Sequence, residues 1–218
     1  MLELNKIKNI DCLEGFKSLE DKSVHHVFTS PPYNRKRNDK YNFYNDDKVN
    51  YRTFIQNVIN ESLRVSKGYT FLNIQKNYYN KEDVFDLIGE NKNKLIDIFI
   101  WSKSNPMPAS GYNVTNAYEF ILVLSDTQES IKSNNTYTKN LFTTNVYSNN
   151  PYKNIHRAVM NPEACEFIIH NFTQENQVIL DPFMGVGTTA LVCRQLNRNY
   201  IGFEINQEYT KIAEQRVI

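Results

Sequence analysis

The sequence predicts an α/β domain built on a parallel-type sheet, and three observations carry that prediction. Short apolar runs alternate with segments of helical periodicity, two of the runs are almost wholly apolar, and a glycine-rich turn follows directly on a late apolar run. The 218 residues are 40% apolar and 13% aromatic, which suffices for one sizeable core and excludes a wholly disordered chain. A single domain over 1–218 is the expected organisation, with no internal repeat.

Taken in order, Ile7 to Cys12 and Val24 to Thr29 are short enough to be strands, with Leu13, Phe16 and Leu19 at helical spacing between them. Phe54, Ile55, Val58, Ile59, Ser62 and Leu63 then line one face of a helix that stops near Gly68. Tyr69 to Ile74 reads as a strand, and Val84, Phe85, Leu87 and Ile88 as a helix. Ile96 to Trp101, interrupted only by Asp97, and Phe120 to Leu124 are read as apolar strands of the kind covered on both faces. From Ser125 to Asn154 the pattern dissolves into Ser, Thr, Asn and Tyr, so 125–154 is either a small appended recognition segment or a plain surface excursion. Ala164, Phe167, Ile168 and Phe172 restore a helix, Val178 to Leu180 a strand, and a helix through Leu196 leads to the strand Tyr200 to Ile205 and a last helix.

Composition narrows the class further. Lys and Arg number 25 against 24 Asp and Glu, a net charge of +1, so no polybasic or acidic tail is present. Cys12, Cys165 and Cys193 are an odd number at unrelated spacings without C-x-x-C, which predicts neither a disulfide framework nor a zinc site; no metal is expected. Their expected role is that of small buried hydrophobes. Neither a signal peptide nor a run of roughly 18 apolar residues is read, so the expectation is a cytoplasmic chain with no membrane association.

Two turns carry chemistry. Val178-Ile-Leu-Asp-Pro-Phe-Met-Gly-Val-Gly-Thr-Thr189 sets Gly185 and Gly187 at a strand-to-helix turn, where glycine permits a tight bend and helix amides point at a ligand. No Gly-Lys-Ser/Thr follows, so it is not a phosphate-binding P-loop. A G-x-G turn alone serves structure as readily as ligand binding. Glu204, about 20 residues on and at the end of the next strand, is the usual partner of a ribose diol and tips the reading toward an adenosine-containing cofactor. The other turn is Ser30-Pro31-Pro32-Tyr33, again at a strand's carboxyl end. Its prolines stiffen the chain and leave carbonyls free to accept, Ser30 adds a hydroxyl, and Tyr33 adds a π-face, a set suited to holding a planar base by its amino group. An ordinary Pro-rich turn is the alternative.

Thr29-Ser-Pro-Pro-Tyr-Asn34, Asp181-Pro-Phe-Met-Gly-Val-Gly-Thr-Thr189 and Gly202-Phe-Glu-Ile205 together resemble the DNA methyltransferases that modify exocyclic amines. The order, with the Ser-Pro-Pro-Tyr turn before the glycine turn, resembles the circularly permuted beta class; protein-glutamine and ribosomal methyltransferases with a similar Pro-Pro-Tyr run have the opposite order. Ile98-Phe-Ile-Trp-Ser-Lys-Ser-Asn-Pro-Met-Pro108 is similar to a segment lining the base pocket, and His156-Arg-Ala-Val-Met-Asn-Pro162 to the segment before the cofactor strand. Met160-Asn161 departs from the family's usual Phe-Pro.

The resemblance implies a seven-stranded, mostly parallel, doubly wound Rossmann-like sheet, circularly permuted, with a small recognition insertion. It implies S-adenosyl-L-methionine as cofactor, DNA as partner, a flipped base and direct transfer to an amino nitrogen. Ser30, Pro31, Pro32 and Tyr33 would be catalytic, with Ser30 Oγ and the Pro31 carbonyl accepting from the amine and Tyr33 stacking on the base. Asp11 and Cys12 would border the adenine, although Asp11 is equally suited to capping the helix that follows it. Asp181 would orient the methionine moiety beside Phe183, Gly185, Gly187 and Thr188, with Glu204 on the ribose. Carbon-5 methylation would need a cysteine nucleophile in a Pro-Cys turn, and none is present.

Arg35, Lys36, Arg37 and Lys40, followed by Tyr41, Phe43 and Tyr44, form a basic and aromatic loop suited to DNA phosphates, or else a solvated loop. They reconcile the near-neutral net charge with a nucleic-acid partner, because positive charge is concentrated where the base is extruded. His156 reads as structural, with no chemistry. Ser at position 30, where adenine-specific relatives usually carry Asp or Asn, leans toward cytosine N4, with adenine N6 as the alternative. A non-catalytic methyltransferase-fold subunit is the reading of another class, against which the intact Ser30, Tyr33, Asp181 and glycines stand. The small recognition segment suggests a short target site, a homodimer or a second specificity subunit.

Overall fold

The computed structural model describes residues 2–35, 50–106, 114–127, 129–156 and 158–217. Along the chain run β1 (Lys6–Asn9), α1 (Cys12–Lys17), β2 (His26–Thr29), α2 (Tyr51–Val65), β3 (Thr70–Ile74), α3 (Lys81–Glu90), β4 (Leu95–Lys103) and β5 (Tyr118–Leu124). Then follow β6 (Leu141–Thr144), α4 (Pro162–Phe172), β7 (Val178–Asp181), α5 (Thr188–Gln195), β8 (Asn199–Glu204) and α6 (Gln207–Arg216).

Among the described residues the sheet has eight strands in the order β1-β8-β7-β2-β3-β5-β4-β6, one more than the family resemblance implied. β5 pairs antiparallel with both β3 and β4, and every other neighbouring pair is parallel, so among the described strands β5 alone runs against the sheet. Alternation along each strand divides the core in two. Phe71 packs on one face among residues of α4, α5 and α6, whereas Leu72 next to it packs on the other among residues of α2 and α3. α1 joins α2 on that second face, where Phe16 meets Phe203 edge-on with centroids 6.2 Å apart. The doubly wound expectation is met, with three of the described helices on each face.

Three sequence expectations change. The run Ile7 to Cys12 is a strand only as far as Asn9, because Asp11 caps α1: its Oδ1 accepts from the Leu13 and Glu14 amides at 2.9 and 3.4 Å. β4 is not covered on both faces throughout; only Phe99 and Trp101 in it are buried, since it lies one strand from the sheet edge. The stretch 125–154 contains β6, the eighth strand, which pairs with β4 and brings Phe142 onto Phe167 of α4 with centroids 3.9 Å apart.

The unusual Asn161 explains how that strand is fixed. As N-cap of α4 it accepts from the Glu163 amide at 2.8 Å, while its Nδ2 donates to Thr144 Oγ1 and the Asn145 carbonyl at 3.1 and 2.8 Å. Trp101 Nε1 donates to the same Thr144 hydroxyl at 2.9 Å. A proline at 161 would supply neither the cap nor the ties to β6. Among the described residues no helix is long and apolar enough to cross a membrane.

Candidate active site

Strand order decides where a ligand can bind. The connection leaving β7 leads to β8 on one side and that leaving β2 leads to β3 on the other, so a crevice opens between the carboxyl ends of these adjacent strands. The two chemistry-bearing turns are the connections that begin there. Thr29 Oγ1, at the end of β2, donates to Asp181 Oδ1, at the end of β7, at 2.8 Å and stitches the turns together.

A cavity of about 170 Å³ lies over this point, lined by Asp11, Cys12, the whole of Ser30-Pro31-Pro32-Tyr33, Arg35, Phe54, His156, Phe183, Gly185, Glu204, Ile205 and Tyr209, with Ala158 and Pro182. A smaller one of about 60 Å³ adjoins it through Ser30, His156, Ala158, Phe183 and Gly185, and adds Asp181, Thr188 and Met160. The sequence-derived residues 11, 12, 30–33, 183, 185 and 204 therefore meet in one cavity, and 181 and 188 in its extension.

Glu204 is 9% exposed, and burial raises its carboxyl above the usual range. Its Oε2 accepts from the Gly185 amide at 2.7 Å and its Oε1 from Asn206 N at 2.8 Å. The acid thus holds the glycine turn as well as facing the cavity. Asp181 is 4% exposed and burial raises its carboxyl too; it accepts from Thr29, from Thr189 Oγ1 at 2.5 Å and from Phe183 N at 3.0 Å. Its visible work is to brace both turns.

Gly185 has φ +53°, and a Cβ there would stand 3.3 Å from His156 Nε2 inside the cavity. Gly187, by contrast, lines neither cavity, although its neighbours Val186 and Thr188 line the smaller one. At φ +84° it is the N-cap of α5, and a Cβ on it would come within 2.9 Å of the Ala213 Cβ, so it sets the close approach of α6. Gly187→Ala combines a disfavoured conformation with overpacking and is expected to destabilise the fold by about 1–3 kcal/mol, measured by denaturant unfolding. An unchanged midpoint would contradict that account.

His156, to which the sequence assigned nothing, lines both cavities. Burial holds its imidazole down to about 4, so it is neutral near pH 7. Its Nδ1 accepts from Ala158 N at 3.2 Å, which leaves the proton on Nε2, and its ring lies 4.6 Å from that of Tyr209. Only the tertiary fold brings it across from a loop preceding α4.

The Ser30-Pro31-Pro32-Tyr33 turn is held from behind. Asn77 and Asn80 donate through Nδ2 to the Tyr33 carbonyl at 2.7 and 2.9 Å. Tyr33 Oη lies 2.7 Å from Ser30 Oγ and 2.8 Å from Glu119 Oε2. Asn73 Nδ2 is 2.6 Å from that hydroxyl and 2.7 Å from Glu119 Oε2, and Lys103 pairs with Glu119 Oε1. Burial and the neighbouring Glu119 raise the Tyr33 phenol well above its ordinary value, so it stays protonated. Sequence reading missed Asn73 and Glu119 and placed Lys103 only within the segment 98–108, with no role of its own; the available signal for Glu119 was a lone carboxylate in an otherwise apolar strand. Arg35, expected on DNA, turns inward: its guanidinium lies 5.6 Å from the Tyr33 ring centroid and donates to Gln75 Oε1. Lys36, Arg37 and Lys40, with Tyr41, Phe43 and Tyr44, lie outside the described residues.

Comparison with known proteins gives concordant matches. The family model described as DNA methylase, N6_N4_Mtase, matches residues 24–215. The Type II methyltransferase M.HinfI of Haemophilus influenzae is 26% identical over 246 residues, spanning 98% of this chain and 68% of that protein. Among solved structures, the PvuII DNA methyltransferase (cytosine-N4-specific) superposes with a TM-score of 0.81 at 21% identity, covering 97% of this chain and 86% of its own. The M1.HpyAVI-SAM complex gives 0.70 at 24% identity, covering 98% and 99%. At these identities the structural likeness is one of fold.

Proposed function

We propose that this chain, which belongs to the DNA methylase family, transfers a methyl group from S-adenosyl-L-methionine to the exocyclic amino nitrogen of a base flipped out of duplex DNA, and that the base is cytosine, modified at N4. What supports the reading is the opening of both turns onto one two-part cavity, stitched by the Thr29–Asp181 hydrogen bond.

The residues present fit the cofactor. The wide part of the cavity combines apolar walls from Phe183 and Ile205 with the Glu204 carboxylate, as an adenosine requires. Gly185 leaves a cradle that a Cβ would fill. The narrow part meets the N-terminus of α5, which no side chain caps, and its free amides suit the carboxylate of the methionine moiety. Asp11 and Cys12 would border the adenine, the Asp11 cap employing its Oδ1. S-adenosyl-L-methionine, when bound, supplies an electrophilic methyl group on a sulfonium.

An exocyclic amine is a poor nucleophile because its lone pair is delocalised into the ring. Ser30 Oγ and the Pro31 carbonyl would accept its two hydrogens, favouring a pyramidal nitrogen whose lone pair faces the methyl group. Positioning and local electrostatics supply the acceleration. Tyr33 and Phe54 offer aromatic walls to a base entering the cavity, and Tyr33 stacking offsets part of an unstacking cost of a few kcal/mol.

Transfer of labelled methyl groups to plasmid DNA tests the reading. Mass spectrometry of the digested nucleosides should give N4-methylcytosine; N6-methyladenine would overturn the base assignment alone, and no label in DNA would overturn the whole. Sequencing of the modified plasmid locates the target site. For target recognition we assign the segment 125–154, whose portion after β6 issues at the catalytic edge of the sheet. For phosphate contact we assign Lys36, Arg37 and Lys40. Replacing these three by alanine should flatten the dependence of log K on log salt by about 0.9 per lost contact, read by fluorescence anisotropy; an unchanged slope removes them from the interface.

A further inference from the structure

We propose that Glu119 and Lys103 are positioning residues that lock the Ser30 hydroxyl as a hydrogen-bond acceptor by way of Tyr33, so that the site admits an amino group and refuses an oxo group. The inference rests on the amino-methyl transfer reading above.

A serine hydroxyl is ambivalent, able to present either its proton or its lone pairs to a ligand. In this site the ambiguity is removed by proton accounting. Glu119 is 4% exposed and, as a carboxylate beside the Lys103 ammonium, can only accept. The single proton of Tyr33 therefore goes to Glu119 Oε2 at 2.8 Å. The 2.7 Å contact between Ser30 Oγ and Tyr33 Oη can then be made only by the serine proton. Asn73 must turn its amide nitrogen, not its oxygen, toward Glu119 Oε2 at 2.7 Å, and the same nitrogen lies 3.3 Å from Ser30 Oγ. Every donor in the cluster points inward or along the chain from Ser30 to Glu119. What Ser30 turns toward the cavity is lone pair.

The register explains why these residues meet. β5 runs against its neighbours, so Glu119, near its beginning, arrives at the carboxyl edge of the parallel strands, opposite Trp101 of β4. Lys103 ends β4 at the same edge, its ammonium 5.0 Å from the Trp101 ring centroid. A carboxylate at this buried position is costly unless charge-paired, and its partners are the catalytic tyrosine and a lysine.

Glu119→Gln is the decisive variant. Its amide oxygen would face Lys103 and its NH2 would donate to Tyr33 Oη, turning the phenol proton onto Ser30 and the serine proton into the cavity. Turnover on DNA should fall roughly 10- to 100-fold, with S-adenosyl-L-methionine affinity unchanged. The second readout is one a structural role would not move. Duplexes carrying the target base, or its oxo counterpart (uracil for cytosine, hypoxanthine for adenine), are compared for binding in the presence of S-adenosylhomocysteine. The natural protein should prefer the amino base and Glu119→Gln the oxo base. Tyr33→Phe, which cuts the chain without altering charge, should narrow the preference toward unity and serves if Glu119→Gln does not fold. Wild-type turnover in Glu119→Gln, or slower turnover with the preference unchanged in both variants, overturns the proposal. Absence of methylation by the natural protein would instead overturn the reading on which it rests.

Discussion

Ser30→Ala is expected to lower methyl transfer to DNA by roughly 10²- to 10³-fold, the range found when one preorganised polar group is removed from a charge-stabilising site. The hydroxyl lines both parts of the cavity, and its removal deprives the amine of an acceptor that no neighbour replaces: Tyr33 Oη is committed to Glu119, and Asn73 presents a donor. The loss should fall on turnover. Glu204, Phe183 and the glycine turn do not depend on Ser30, so isothermal titration with S-adenosyl-L-methionine should return an affinity close to that of the natural protein. Pro31→Ala is expected to act in the same direction more weakly, through a looser turn. Full activity of Ser30→Ala in the labelled-methyl assay would remove Ser30 from the catalytic group.

Glu204→Ala should produce the largest effect on the cofactor. Two backbone amides, of Gly185 and Asn206, lose a charged acceptor, and the ribose loses its partner. Hydrogen bonds to a charged group contribute about 1.5–3 kcal/mol each, so a net loss of about 2–3 kcal/mol, or roughly 30- to 150-fold in Kd, is expected after partial relaxation of the turn. Glu204→Gln is not a gentle substitute, because its NH2 must face one of two backbone N–H groups. It should fall between alanine and the natural residue. Titration calorimetry checks the order, and equal affinities across the three proteins would show that Glu204 only braces the turn.

The legible parts of the site were those written locally. Ser30-Pro31-Pro32-Tyr33 and Asp181 to Thr189 are contiguous, and their prolines and glycines restrict the backbone in ways that composition alone reveals. Glu204 was found because the distance from a glycine turn to the next strand's end is nearly constant in such folds. β6 was not found, because Leu141 to Thr144 carries only two apolar residues, and its strand character comes from pairing with β4 and packing on α4. The two glycines look alike in sequence; only the tertiary structure shows that a Cβ on Gly187 would meet Ala213 of α6 while one on Gly185 would meet His156.

The sequence by itself determined the class of fold, the order of the helices and of every strand but β6, the two turns and the kind of chemistry they suit, because each rests on periodicity or on residues a few positions apart. The direction of β5, the eighth strand, the inward turn of Arg35, the entry of His156 and the chain from Ser30 through Tyr33 to Glu119 and Lys103 were decided by tertiary structure alone. Tyr33 meets Asn73, and Arg35 meets Gln75, across 40 residues of chain, and Tyr33 meets Glu119 across 86. Proximity at such separations follows from strand order and register, which are set by the packing of all the elements together.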